Sequence, residues 1–412
     1  MAKTPKELYE ERKKRVMDAV NLKVPDRVPF FPGFGTFAAK YYGITVRQAL
    51  ENMGKWHDLN EKLCLEFEPD LFFSSPSIDI NTNEMLGTKN MKWPGHGLPE
   101  TSNYQFVEGE YMKAEEYDHF LEKPGDFLFR VYLPRIYGSL EGLSHMPPMM
   151  SLLSLGGIPS TFANPAVLGA LETIIKAARQ GSQYFMSTFS LVQRLEALGF
   201  PNLMTFGLGL PPFDVVSDYL RGLRGVMFDM FQRPDKLLAA EEMILEHTLK
   251  SAVAFGQMMN KPLHFMATHR GSDEFMSLEQ FERFYWPGFR TILLTMIDAG
   301  MTPFVLWEGC WDKRLGYLAE LPKGKTVALF DRTDIFEAKK VLGDRMCIAG
   351  NMPLSLLQTG TPEQVKAYTK KLIDEVGKDG GFIMASNTEL DYANPELVRV
   401  WADTTKEYGV YR

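Results

Sequence analysis

The sequence predicts an α/β chain: a (β/α)8 TIM barrel with an N-terminal helical extension and a long insertion at 88–150, one domain spanning 1–412. Three observations carry this expectation. The chain has 412 residues, which suits one elaborated barrel or two ordinary domains. Its second half alternates short apolar runs with amphipathic stretches of roughly 15 residues, the rhythm of βα units and so of a parallel sheet. With this many units a closed barrel is the economical arrangement. The competing doubly wound sheet loses support in its nucleotide-binding forms, because no GxGxxG follows the first strand and no GxxxxGK[ST] occurs.

The elements follow in order. MAKTPKELYEERKKRVMDAV reads as an amphipathic helix with Leu8, Val16, Met17 and Val20 near one face. Pro25 and Pro29 in VPDRVPF stop it and turn the chain into an extended stretch. PFFPGFGTF is a glycine-rich strand-to-loop passage, and LFFSSPSI (71–78) predicts a short buried strand. Residues 88–150, irregular and rich in Pro, Gly and Met, predict an insertion or lid. The Met-rich piece 146–150 suits a flat apolar ligand or an adaptable partner surface. Six apolar runs then predict strands: NLMTFGLG (202–209), LHFMATH (263–269), TPFVLWEG (302–309), KTVALFD (325–331), RMCIAGN (345–351) and GFIMASN (381–387).

Composition narrows the function classes. Apolar residues at 45% and charged residues at 24% are ordinary for a globular enzyme whose core needs no disulfides. Lys plus Arg number 45 against 52 Asp plus Glu, a net charge of −7, with no basic stripe to attract nucleic acid or anionic lipid. No apolar run approaches the roughly 20 residues that span a bilayer. The charged N-terminus does not read as a secretory signal, and the three cysteines are too few for a disulfide framework. A cytoplasmic enzyme is expected.

In a parallel barrel, functional groups project from the C-terminal strand ends. There the sequence places His269 and Arg270, then Glu308-Gly309-Cys310, then Asp331, Asn351 and Asn387. Alternation along an extended chain puts Glu308 and Cys310 on one side, where a carboxylate and a thiolate suit Zn²⁺. They form only two ligands; His269, Asp331 or a group near Asn387 would supply a third. Alternatively Cys310 is a packing residue and Glu308 pairs with Arg270 or Arg332. His269, Asp331 and Asp79 are the acid/base candidates, although Asp79 equally suits a turn cap. Arg270, Asn351 and Asn387 are candidate substrate contacts. His264, mid-strand, and Cys64, within a helical pattern, read as core. GxSxG, HExxH, CxxC and EF-hand patterns are absent.

Several phrases carry a resemblance. ERKKRVMDAVNLKVPDRVPF, SDYLRGLRGVMFDMFQRPDKL and the closing stretch from LGDRMCIAGN through TPEQV to GGFIMASN resemble, in order and spacing, the uroporphyrinogen decarboxylase superfamily. The resemblance implies one TIM barrel with a cleft at its C-terminal face. Porphyrinogen decarboxylases carry an Arg-rich loop near the N-terminus, whereas FPGFGTFAAKYYG has no arginine, which argues against a polycarboxylate tetrapyrrole. The other branch is the corrinoid-dependent methyltransferases. Their members acting on coenzyme M show a His-x-Cys pair and a further Cys; the matching positions are Glu308 and Cys310, and then Ser386-Asn387-Thr388, which contains no cysteine.

The resemblance therefore implies a methyltransferase that demethylates a methoxylated or similar small donor. Zinc on Glu308, Cys310 and one more residue would act as Lewis acid, and the corrinoid would ride on a separate partner protein, since no DxHxxG motif is present. The reverse direction, and a homodimer, remain open. The competing readings are a cofactor-free decarboxylase of a smaller acid, and a non-catalytic corrinoid- or tetrapyrrole-binding protein.

Overall fold

The computed structural model describes residues 3–73, 78–206 and 209–411. Seven strands form one curled parallel sheet: β1 (Phe30–Phe31), β5 (Met204–Phe206), β6 (Leu263–Thr268), β7 (Thr302–Trp307), β8 (Val327–Phe330), β9 (Cys347–Ala349) and β10 (Phe382–Ala385), in the order β1-β10-β9-β8-β7-β6-β5. Each predicted run of the second half contains one of them. The longest pairing joins β6 to β7, from Leu263 opposite Thr302 to Thr268 opposite Trp307. At the open end of this order, the amide of Asp70 donates to the Phe30 carbonyl at 2.9 Å, and the Phe73 ring stacks on Phe206. Residues 71–73 carry no strand, and the rest of the predicted strand 71–78 lies mostly outside the described residues.

Period-two alternation sorts the strand side chains into two layers. Phe31, Met204, Leu263, Phe304, Val327, Leu329, Cys347 and Ile383 pack together inside the curl, against Val16, Ala19 and Val20 of the N-terminal helix Pro5–Val20. Phe30, Val305, Trp307, Phe330, Ile348 and Met384 face outward onto the surrounding helices.

A Thr4–Glu7 capping box starts that helix. Its Arg15 is not a solvated charge. With Arg27 it surrounds fully buried Asp70: Arg15 Nη1 lies at 2.6 Å, Arg27 Nη1 at 2.6 Å, and the Phe30 amide donates at 2.8 Å. The PDRVP turn thus ties the helix to the first strand through charge-assisted bonds.

The 88–150 segment holds a small sheet of β2 (Met91–Pro94), β3 (Gly97–Leu98) and β4 (Gln105–Phe106), followed by short helices. Arg221 fastens it to the helices that follow β5, reaching Glu110, the Met112 carbonyl and Asp229. Its Met-rich end does not serve a cavity ligand: Met146 is buried in a separate cluster, while Met149 and Met150 are exposed on the surface. No helix among the described residues is long and apolar enough to cross a membrane.

Candidate active site

The C-terminal strand ends open onto a cavity of about 990 Å³. Phe31, Phe73, Phe206, Phe265, Leu306 and Leu329 give it apolar walls, continuing the inward-facing rows of the sheet. Asp218, His269, Arg270, Glu308, Asp331, Arg332, Asn387 and Glu389 supply the polar groups. Tyr104, Phe106 and Glu108 of the insertion also line it, as a lid would.

His269 follows β6 and is positioned by two aspartates. Asp214, fully buried, accepts from the amides of His269 (2.8 Å) and Arg270 (2.9 Å) and from the Tyr285 hydroxyl (2.8 Å). Burial raises its carboxyl, the nearby His269 charge opposes this, and it rests at about 6. Asp218 Oδ2 lies 2.5 Å from His269 Nδ1, and its Oδ1 lies 3.1 Å from an Arg270 nitrogen. Burial alone would discharge the ring. The Asp218 hydrogen bond and the charges of Asp214, Asp218 and Glu308 outweigh it and hold His269 up at about 9. The ring is therefore an imidazolium at neutral pH, and its Nε2 has no protein partner among the described residues.

Sequence reasoning missed both aspartates. A signal was present: PPFDVVSDYL carries two carboxylates four residues apart just after β5. They share one face of the helical run Pro212–Val215 and Val216–Arg221 at the functional rim.

The Glu308–Cys310 turn differs from expectation. Alternation holds through β7, so Leu306 and Glu308 face the cavity. Gly309 then takes a positive φ of 82°, and a Cβ there would lie 2.8 Å from Ser272, so the turn requires glycine. The chain swings outward. Cys310 Sγ points to Asp273 Oδ2 at 3.8 Å, and Cys310 does not line the cavity. Burial and the carboxylates of Asp312 and Asp273 push its thiol up to about 11, away from the thiolate form that binds metal. Among the described residues no three His, Cys, Asp or Glu side chains converge to hold a metal ion. Glu308 and Cys310, which the sequence pairs as zinc ligands, diverge and do not fit that ion.

Nor does Glu308 pair with an arginine among the described residues. Arg270 is held by Asp218 and Ser217, and Arg332 by Glu274. The Glu308 carboxylate accepts no protein hydrogen bond among the described residues. It is open to cavity water yet walled by protein, and this desolvation raises its pKa above the ordinary carboxylate value; the His269 charge opposes the rise and Asp331 adds to it.

Asp331 and Asn387 are both at the cavity and are joined: Asn387 Nδ2 donates to Asp331 Oδ1 at 2.9 Å, and Asp331 Oδ2 accepts from the Gly309 amide at 3.1 Å. Asn351 is no substrate contact. It is buried, donates to the carbonyls of Asp331 and Thr333, accepts from Tyr368, and does not line the cavity. Asp79 takes its capping role: it begins the helix Ile80–Leu86 by accepting from the Thr82 amide and hydroxyl, and it does not line the cavity. His264 and Cys64 are core residues, as the sequence indicates. Glu389, close behind Asn387 at the last strand end, lines the cavity beside Asn103; desolvation by the surrounding protein and the charge of Asp391 push it up to about 7.

Residues 156–408 match the sequence profile of uroporphyrinogen decarboxylase (URO-D). The chain belongs to the URO-D family. A 45-residue stretch is 44% identical to a uroporphyrinogen decarboxylase from Chlorobium phaeovibrioides, covering 11% of this chain and only 12% of that protein. A methyltransferase from Methanosarcina mazei shares the fold, with TM-score 0.60 at 15% identity over 96% of this chain and 98% of the other. In this URO-D chain the cavity presents the carboxylates of Glu108, Asp218, Glu308, Asp331 and Glu389, while both cavity arginines are already ion-paired. Among the described residues, no uncommitted guanidinium is offered to a substrate carboxylate.

Proposed function

We propose that this URO-D family member is a corrinoid-dependent methyltransferase that demethylates an uncharged methoxylated small molecule, using His269 as general acid. The observation that carries this reading is an imidazolium, held protonated by Asp218, at an aromatic-walled cavity rich in carboxylates. A methyl ether is a poor donor because its leaving group is an alkoxide; a proton delivered to that oxygen removes the difficulty. A corrinoid on a separate partner protein would supply the nucleophile that accepts the methyl group. The methyl carbon–oxygen bond breaks, the leaving oxygen takes the His269 Nε2 proton, and the product is an alcohol or phenol. Asp214 fixes the backbone at His269 and Asp218 fixes the ring. Glu308 adds negative charge beside the imidazolium, and the Phe walls hold the apolar body of the donor while excluding water.

The Methanosarcina methyltransferase fold and the missing anion-gripping arginines support this over porphyrinogen decarboxylation. We propose that the curled sheet closes into a barrel between β1 and β5, which the Asp70–Phe30 bond and the Phe73–Phe206 ring contact support. We place the enzyme in the cytoplasm, in keeping with three unpaired cysteines.

The test is methyl transfer from 1,2-dimethoxybenzene to cob(I)alamin, followed by the spectral change of the cobalamin. Transfer that His269→Ala abolishes is expected. Carbon dioxide release from a small acid without corrinoid, and no demethylation of any methoxylated donor, would overturn the proposal.

A further inference from the structure

Three residues of the insertion face the cavity at every second position, Tyr104, Phe106 and Glu108, as alternation along and beside β4 requires. They are held in different ways. The Phe106 ring meets Tyr219 edge-on at 5.6 Å, and Glu108 accepts from the Leu223 amide at 2.6 Å. The Tyr104 side chain has no hydrogen bond or ring contact of its own among the described residues.

The place of Tyr104 is set through its neighbour. Asn103 Oδ1 accepts from the Tyr104 amide at 2.8 Å. Asn103 Nδ2 reaches across to the segment after β10, donating to Asp391 Oδ2 at 2.8 Å and to Glu389 Oε2 at 3.3 Å. Ionised carboxylates only accept, so one orientation of the Asn103 amide serves both ends. The receiving end is itself held. Asp391 Oδ1 accepts from the amide (2.7 Å) and the hydroxyl (2.8 Å) of buried Thr36. Gly35, at φ 51°, leaves the space: a Cβ there would lie 2.5 Å from Asp391 Oδ1 and 2.8 Å from Glu389 Oε2. Segments 35–36, 103 and 389–391 therefore converge on one side-chain amide.

The two ends of this strip differ. Beyond Glu108 it is fixed by buried Arg221, which binds Glu110 and the Met112 carbonyl. At Asn103 a single neutral amide does the fastening. Desolvation and the charges of Glu389, Asp391 and Glu308 raise the Tyr104 phenol, so its ring stands on the Glu308 side of the cavity.

We propose that Asn103 is a positioning residue that latches Tyr104 over the cavity, and that Tyr104 is a specificity-determining contact that limits the size of the methyl donor. The specificity role rests on the reaction assigned to the cavity; the latch does not.

Hydrogen–deuterium exchange and donor kinetics of the full chain test the two parts. Asn103→Asp sets a third carboxylate against Asp391 and Glu389, so amide exchange across 103–106 should quicken about 10-fold or more. KM for 1,2-dimethoxybenzene should rise about 10-fold with kcat held within about 3-fold, the mark of a contact made equally in ground and transition states. Adding Asp391→Asn exchanges donor and acceptor across the same gap and should restore both readings, which a merely structural lesion would not allow. Tyr104→Ala should raise the preference for 2-methoxynaphthalene over 1,2-dimethoxybenzene about 10-fold, read as the ratio of kcat/KM. Exchange that Asn103→Asp leaves unchanged, or a double variant that does not recover, would overturn the latch. An unchanged donor preference in Tyr104→Ala would overturn the specificity role. Failure of the wild type to demethylate any donor would remove the reaction and the specificity role with it, whereas the exchange measurement needs no substrate and decides the latch on its own.

Discussion

The turn after β7 has two sides, and they differ in how far their polar groups are satisfied. On the outer side, Asp273 is saturated: it is paired to buried Arg314, accepts from the Lys313 amide, and receives the Cys310 thiol. Arg314 also donates to the Met276 carbonyl. On the inner side, among the described residues, His269 keeps a free Nε2 and Glu308 a free carboxylate, a few residues from that ion-paired cluster. A saturated buried cluster holds structure. Groups left with spare valences in a cavity are available to a ligand, and perturbed acidities gather at such sites. The difference assigns chemistry to the inner side and support to the outer.

Four variants break or sharpen this contrast. His269→Ala should have the largest effect, a loss of about 10²–10⁴-fold in kcat/KM for the methoxylated donor, with the fold intact. Near-normal turnover would move the chemistry elsewhere. Next, Asp273→Ala should destabilise by about 3–5 kcal/mol in urea unfolding, because Arg314 would stay buried without its carboxylate, while activity per folded molecule should persist. A large loss of activity in folded protein would dissolve the distinction between the two sides.

Asp218→Asn acts on pH dependence. In the wild type, activity should be lost as pH rises through about 9, where His269 gives up its proton. The variant removes the main support of the imidazolium, so that limb should move toward the ordinary 6.5. Stability follows the same sign. The raised His269 contributes stability that is full below about 6.5 and lost as pH climbs to about 9. An unchanged pH–rate profile would remove His269 from the proton transfer. Cys310→Ala should do least, under about 3-fold on kcat/KM, since the thiol faces Asp273 and not the cavity. A loss comparable to His269→Ala would restore Cys310 to the site.

The fold was largely legible because strand and helix periods are local. All six apolar runs of the second half contain strands, and the rule that barrel chemistry sits at C-terminal strand ends found His269, Arg270, Glu308, Asp331 and Asn387 at the cavity. The failures share a cause. Asn351 and Asp79 are polar residues at the right ends of elements, yet they are hydrogen-bonded to neighbours distant or local in sequence and do not line the cavity. Cys310 failed because one positive-φ glycine ends the alternation on which the pairing with Glu308 rests.

The sequence by itself determined the βα rhythm, the strand ends that bear functional groups, and the absence of arginine from the FPGFGTFAAKYYG loop. Only the tertiary structure decided which of those groups are free. It joined Asp214 and Asp218 to His269, more than 50 residues away, and so set the charge of that ring. It also turned Glu308 inward and Cys310 outward. Charge state and spare valence depend on desolvation and on partners brought from remote segments, and no local pattern encodes either.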